Sequence, residues 1–393
     1  MRVVVCGDVH IGAVFGLGGP NGSGGNTRVD DFKNSLSHIV DYCIDNDVDV
    51  FVQTGDLFES RNPTPEHMHI ADSFLKKLSS SGISSIVIMG NHDYRRNGSE
   101  FSSSISSLAS NEYANVRMVL DPEVIRIDRG TDDSINILLS PYRDKRMYQS
   151  RTTSDSSKMY DKHMLELLGA IDNDHPTIAV GHNFYYEGSY NDFGGAEILT
   201  NISSFKSCDL VAMGHHHSFR IVQDKHPIAI YTGSMEKINF GDKDLDKYFI
   251  DYNSLNKKIL FKKIPSRQLH DSEINMLDVP ITDVDSFLEK KMSETEVMDK
   301  IVRMKIVIKE SMSAAISKSY IEKKLYSMGA FFVSKVIVEP VSQRIVRDLS
   351  VLSHKDHSLM FEEFVKLQGF EEKLEAELIS ESKNIMGELD ASS

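Results

Sequence analysis

Hydrophobic and polar positions fall into alternating blocks from the first residues onward. Arg2 to Cys6 is an apolar run, Val29 to Ile44 carries apolar residues at helical spacing (Val29, Phe32, Leu36, Ile39, Val40, Cys43), and Val48 to Val52 is β-rich. Pro65 to Leu78 returns to helical spacing, and Ile83 to Met89 to a strand pattern. Strands separated by helices of this length predict an α/β arrangement, a parallel or mixed sheet covered on both faces. Ligands of such sheets gather at the carboxyl ends of the strands.

Further along, Gly12 to Gly25 is rich in glycine but lacks both the Gly-Lys-Ser/Thr ending and the GxGxxG spacing of phosphate-cradling loops, so it reads as a flexible surface insertion. Gln149 to Lys158 is rich in Ser and Thr and reads as a loop before a helix at Met159 to Ile171. After Gly214 come short β-like runs, Phe219 to Val222, Ile228 to Tyr231, Tyr248 to Tyr252 and Lys257 to Ile264, which suit antiparallel strands of a second sheet packed on the first. Pro265 to Pro280 looks like a boundary. Beyond it Ile301 to Ile308 and Phe331 to Val338 read as strands around a helix at Ser317 to Ser327, a small α+β module. From Asp356 the apolar residues Leu359, Phe361, Phe364 and Val365, then Phe370, Leu374 and Leu378, recur at helical spacing, with Gly369 between two helices. The expected domains are residues 1–265, 266–345 and 346–393.

With 393 residues, 40% of them hydrophobic, the chain can bury a large core. No run of about 18 apolar residues exists and the start lacks the features of a signal peptide, which predicts a cytoplasmic protein with no membrane contact. Cys6, Cys43 and Cys208 lie far apart in apolar segments and read as buried thiols rather than a disulfide or zinc site. A formal net charge of -14 disfavours coating nucleic acid over the whole surface, so any grip on a polyphosphate needs a local basic patch or a basic partner. One stretch of mixed charge, after Pro280, is comparatively basic: Lys300, Arg303, Lys305, Lys309, Lys318, Lys323, Lys324 and Lys335.

The chemistry is concentrated where strands end. Gly7-Asp8-Val9-His10, Gly55-Asp56, Gly90-Asn91-His92-Asp93, Gly181-His182 and Gly214-His215-His216-His217 each follow an apolar run, and all begin with glycine. If these triplets stay extended, Asp8 and His10 share a side, as do His215 and His217. Asp8, His10, Asp56, Asn91, His182, His215 and His217 form a nitrogen and oxygen ligand set without thiolate, suited to two divalent ions, Mn²⁺ first and Fe²⁺, Zn²⁺ or Mg²⁺ as alternatives. Two ions need a shared carboxylate, and Asp56 is the candidate.

The order of these five motifs resembles the signature of the calcineurin-like binuclear metallophosphoesterases over roughly residues 1–265. Within them, Gly55-Asp56-Leu57-Phe58, Gly233-Ser234-Met235-Glu236 and the β-rich and helical tail resemble the SbcD-type nuclease subunit of the double-strand-break repair complex. The resemblance implies two central mixed sheets flanked by helices, a small α+β capping domain and C-terminal helices. It implies one metal held by Asp8, His10, Asp56 and His217 and the other by Asp56, Asn91, His182 and His215. His92 would help the leaving oxygen, with Asp93 orienting it. The activity implied is a Mn-dependent DNA exonuclease and endonuclease in repair and recombination. Its partners would be DNA and an SbcC-type SMC-like ATPase gripped by the C-terminal helices, in a homodimer within a heterotetramer, and its place cytoplasmic or nucleoid-associated, or the host cytoplasm for a virus. Some nucleases of the family have histidine after Gly-Asp-x-Phe, where this chain has Glu59. The alternative reading is a binuclear phosphatase or small-substrate phosphodiesterase; phosphatases of the Ser/Thr type show Asp-Arg-Gly after the second motif and Gly-Asn-His-Glu at the third, unlike this chain.

Overall fold

A computed structural model describes residues 1–22, 24–97, 100–110, 113–130, 133–148, 152–171, 174–186, 198–341, 357–367 and 372–391. Two six-stranded sheets form its centre. The first runs, edge to edge, Lys258–Ile264, Lys247–Asn253, Arg2–Cys6, Val50–Gln53, Ser84–Ile88 and Val116–Val119. The second runs Arg220–Gln223, Ile228–Tyr231, Leu210–Met213, Thr177–Gly181, Ser134–Ser140 and Glu123–Asp128. Each has a parallel centre and an antiparallel margin, so both are mixed sheets.

Side-chain alternation along the central strands explains the layers. Val4 and Cys6 point to a cluster with Leu36, Ile39, Cys43, Phe74 and Leu78 of the helices Thr27–Asp45 and Pro65–Ser80. Val3 and Val5 point the other way, into a cluster with Ile137, Leu139, Val180 and Ala212 of the second sheet. The far face of that sheet, with Leu138, Ala179 and Val211, is covered by Tyr160, Met164 and Leu168 of the helix Thr153–Gly169. Both faces of the central strands are buried, which is why those strands read as continuous apolar runs. Cys6, Cys43 and Cys208 are free and buried.

Several expectations need correction. The runs after Gly214 do not make one sheet. Arg220–Gln223 and Ile228–Tyr231 extend the second sheet, whereas Lys247–Asn253 and Lys258–Ile264 add to the first, beside Arg2–Cys6. Short apolar runs carry no record of which edge they join. The Ser/Thr stretch is helical from Thr153, because Thr152 caps it by accepting the Asp155 N–H at 3.1 Å; residues 149–151 lie outside the described part. A strand, Leu269–Asn275, occupies the supposed boundary and joins Ile301–Lys309 and Phe332–Val341 in a three-stranded sheet. The glycine-rich insertion is anchored, since Leu17 is buried with Phe240, Leu269 and Ile301.

The chain divides into two compact units, one holding Met1–Glu273, Lys290–Lys305 and Lys318–Ile337, the other Ile274–Glu289, Ile306–Ser317 and the chain from Val338. In the second, the helices His357–Leu367 and Glu372–Ala391 pack together, and Glu362 of one pairs with Lys383 of the other at 3.0 Å. Phe364 and Leu374 remain 45% exposed there. Gly369 and Phe370, read as the break and as a buried residue, lie outside the described residues. Among those residues no helix is long and apolar enough to cross a membrane.

Candidate metal centre

Every strand-end motif delivers its polar residues to one place. Asp8 follows Arg2–Cys6, Asp56 follows Val50–Gln53 and Asn91 follows Ser84–Ile88 in the first sheet; His182 and the His215 to His217 run follow Thr177–Gly181 and Leu210–Met213 in the second. The repeated glycine is explained by close approach. An added Cβ at Gly90 would fall 2.1 Å from the Asp56 amide nitrogen, and one at Gly214 2.4 Å from an Asp8 carboxylate oxygen. No larger residue lets these strand ends converge.

Three groups of side chains have ligand atoms mutually within 4.8 Å: Asp8, His10 and His217; Asp56, His182 and His215; and His10, Glu59 and His92. Asp56 stands between the first two groups, its Oδ2 3.8 Å from His10 Nε2 and 3.3 Å from His182 Nε2. His10 Nε2 faces His217 Nε2 at 3.1 Å, and His182 Nε2 faces Asn91 Oδ1 at 2.8 Å. The triplets are not extended, however. His10 and His215 adopt positive φ, 50° and 75°, as does Asp56 at 53°, so turns rather than strand alternation aim these side chains. Consequently His215 and His217 diverge into different groups instead of sharing a side. Backbone in this sparsely populated region persists only where the surroundings over-determine it, as at ligand clamps.

Cations fit this donor set. Asp56 Oδ2 is buried without a hydrogen-bond partner, a costly state for a carboxylate oxygen unless a positive ion meets it. Burial opposes ionisation of Asp56, but His182, His10 and His92 outweigh it and hold the carboxyl well below its ordinary value. Burial would lower His182, yet Asp56 and Asp8 push it up to about 9. Burial and the neighbouring His10 drive His217 down to about 3, leaving it neutral and able to donate a lone pair. Asp8 is raised by burial, against the pull of His182.

Backbone groups fix the carboxylates. His215 N–H donates to both Asp8 oxygens at 3.1 and 3.0 Å, and His92 N–H to Asp56 Oδ1 at 2.8 Å. His92 projects at the rim, one third exposed, with its Nδ1 2.8 Å from the Glu59 carbonyl. That carbonyl, not Asp93, holds the imidazole. The Asp93 carboxylate instead accepts the N–H groups of Leu57, Phe58 and Gly90 at 3.1, 3.0 and 3.0 Å, which ties the second and third motifs together. Burial and the nearby Asp56 charge raise Asp93 to about 6.

Three residues absent from the sequence reading support the site. Tyr142 sets its ring 6.4 Å from those of His182 and His215. The buried Lys247 donates to the His217 carbonyl at 3.0 Å, to Ser234 Oγ at 3.1 Å and to Asp242 at 3.3 Å. Phe15 meets His10 edge-on at 6.3 Å. Only a lysine inside an apolar strand, between Asp246 and Tyr248, was a readable signal. The turn at Gly233 to Glu236 does lie beside the site: Ser234 N–H reaches the His217 carbonyl and Met235 N–H the Asp8 carbonyl, at 3.0 and 3.2 Å.

Residues 1–219 match the family model of the calcineurin-like phosphoesterases, and the chain belongs to that family. A binuclear metal centre is therefore what its fold is built to hold. Among named relatives, the chain is similar to the DNA double-strand break repair protein Mre11 of Methanosarcina acetivorans, 23% identical over 335 residues, which is 84% of this chain and 50% of that protein. It is likewise similar to the protein of that name from Methanosarcina mazei, 22% identical over 358 residues, 86% of this chain and 54% of that one. The chain thus spans about half the length of these relatives. Among solved structures, a dimetal phosphatase from Danio rerio is 12% identical with a TM-score of 0.43, covering 67% of this chain and 96% of that one.

Proposed function

We propose that this chain is a Mn-dependent DNA nuclease, the exonuclease and endonuclease subunit of an SbcCD-like complex for DNA repair and recombination. The observation that carries the reading is the reach of its likeness to repair proteins, 335 residues, well past the 219 of the phosphoesterase family model. Asp8, His10 and His217 would hold one ion, Asn91, His182 and His215 the other, with Asp56 between them. Two such ions supply charge to the phosphodiester oxygens and lower the pKa of bound water. The chain's own groups do the rest. Backbone amides hold the Asp8 and Asp56 carboxylates in place, and the turns at His10 and His215 fix the direction of the ligands. His92, with Nδ1 engaged by the Glu59 carbonyl, keeps Nε2 free to give a proton to the departing oxygen.

Residues 266–345 are proposed to cap the DNA and residues 346–393 to bind the SMC-like ATPase, in a homodimer within a heterotetramer in the cytoplasm. The exposed Phe364 and Leu374 of the tail favour such a partner. The basic stretch gives the cap weaker support, because Arg303 pairs with Asp271, Lys305 with Glu273 and Lys300 with Glu296. Assaying linear duplex DNA beside p-nitrophenyl phosphate with Mn²⁺ tests the activity. Cleavage of the duplex supports it, and hydrolysis of the monoester alone would assign a phosphatase instead.

A further inference from the structure

Val14 to Leu17 forms a tight turn in which Leu17 N–H donates to the Val14 carbonyl at 2.8 Å. Its two central residues, Phe15 and Gly16, have φ of 51° and 68°. Positive φ at both positions is the type I′ geometry, which favours Asn-Gly or Gly-Gly. Gly16 suits it, but a bulky side chain at Phe15 is a genuine outlier.

Burial does not offset that strain. The neighbours on either side are anchored: Leu17 is 2% exposed among Phe240, Leu269 and Ile301, the Gly16 carbonyl accepts from Ser334 Oγ at 2.8 Å, and Ala13 N–H donates to the His10 carbonyl at 2.9 Å. Phe15 itself is 42% exposed. Its ring stands edge-on to His10, 6.3 Å away, where His10 is in turn 4.8 Å from His217 and 5.0 Å from His92. The turn therefore holds an aromatic face in solvent beside the ligand cluster, with its backbone fixed from both ends.

We infer that Phe15 is a substrate-contacting residue that stacks on a nucleobase next to the scissile phosphodiester. An aromatic face takes any base, so it places a strand without reading its sequence. The inference rests on the nuclease reading of the same site.

The test uses the full chain with Mn²⁺ and compares Phe15→Asn, which suits the turn, with Phe15→Tyr, which keeps the ring. Duplex DNA is paired with the same duplex lacking bases beside the scissile phosphate. Phe15→Asn is expected to melt no lower than the unaltered chain and to bind Mn²⁺ equally, yet to lose about 5- to 150-fold in kcat/KM on intact duplex. On the abasic duplex the unaltered chain should fall to the rate of Phe15→Asn, and Phe15→Tyr should behave as the unaltered chain does. An equal loss for Phe15→Asn on both duplexes, or a loss of Mn²⁺ affinity, would overturn stacking and leave the ring as a shield for His10. Failure of the unaltered chain to cut either duplex would instead overturn the nuclease reading, and stacking with it.

Discussion

Glu59 Oε2 lies 2.8 Å from His10 Nδ1, the histidine wholly buried and the acid 28% exposed. A carboxylate on one ring nitrogen places the proton there and presents the other nitrogen, Nε2, to His217 and Asp56. Burial alone would lower the pKa of His10; Glu59, Asp56 and Asp8 outweigh it and raise it. Glu59, which stands where some nucleases of the family carry histidine, is thereby joined to a candidate ligand.

Replacing Glu59 by Ala should weaken the first ion by about 10- to 100-fold, as removal of such outer partners does, with a smaller effect for Gln, whose carbonyl can still accept the Nδ1–H hydrogen bond. Calorimetric Mn²⁺ titration reads this directly. Unchanged affinity in Glu59→Ala would show that the contact orients nothing.

Asp56 stands between the first two ligand groups. Asp56→Asn is nearly isosteric but removes the shared charge, so ion binding and cleavage should be lost together while the circular dichroism spectrum stays native. Two ions retained with full activity would remove Asp56 from the bridging position.

Although His92 clusters with His10 and Glu59, it is expected to be separable from the metal ligands, since its ring nitrogen engages the Glu59 carbonyl and only its backbone N–H touches Asp56. His92→Gln should keep both ions and slow DNA cleavage by about 10²- to 10⁴-fold. Loss of an ion on this substitution would make His92 a ligand.

Much of this architecture was legible in the sequence because both faces of the central strands are buried, so Arg2 to Cys6 and Val48 to Val52 stand out as apolar, β-rich runs. The candidate site was legible for a related reason: glycine is required where two strand ends approach within contact, as at Gly90 and Gly214, and it marks the candidate ligands that follow. What the residues did not disclose depends on long-range placement. Glu123–Asp128, half exposed, gives no clean pattern, and the hairpin Lys247–Asn253 with Lys258–Ile264 could have joined either sheet. The left-handed turns at His10 and His215 are also invisible in sequence, since histidine, though enriched at positive φ, adopts it in only a small minority of positions. They are imposed by the hydrogen bonds of Asp8 and Asp56 and send His215 and His217 apart.

Stability in acid should depend on Asp251. It accepts Arg2 Nε at 3.1 Å and Nη2 at 2.7 Å, and the Tyr42 hydroxyl at 2.7 Å, closing the join between Arg2–Cys6 and Lys247–Asn253. Burial works against its charge, but Arg2 and Tyr42 hold the carboxyl below its ordinary value. A carboxyl depressed in the folded state contributes stability above its unfolded pKa of about 3.9, and that contribution disappears as pH falls through the folded value. Asp251→Asn should therefore lower Tm by roughly 2–5 °C at pH 7. The gap should narrow progressively below about pH 4, and a gap independent of pH would contradict the ionic origin.

In the proposed nuclease, one set of strand-end residues would hold two ions that together cut duplex DNA. The most direct measurement is the number of Mn²⁺ ions bound per chain, by elemental analysis after equilibrium dialysis, with duplex cleavage followed on the same samples as the metal is removed by chelator and restored. Two ions per chain are expected, with cleavage abolished by the chelator and recovered as the second ion returns. Cleavage that survives complete metal removal, or full activity with a single ion bound, would contradict it.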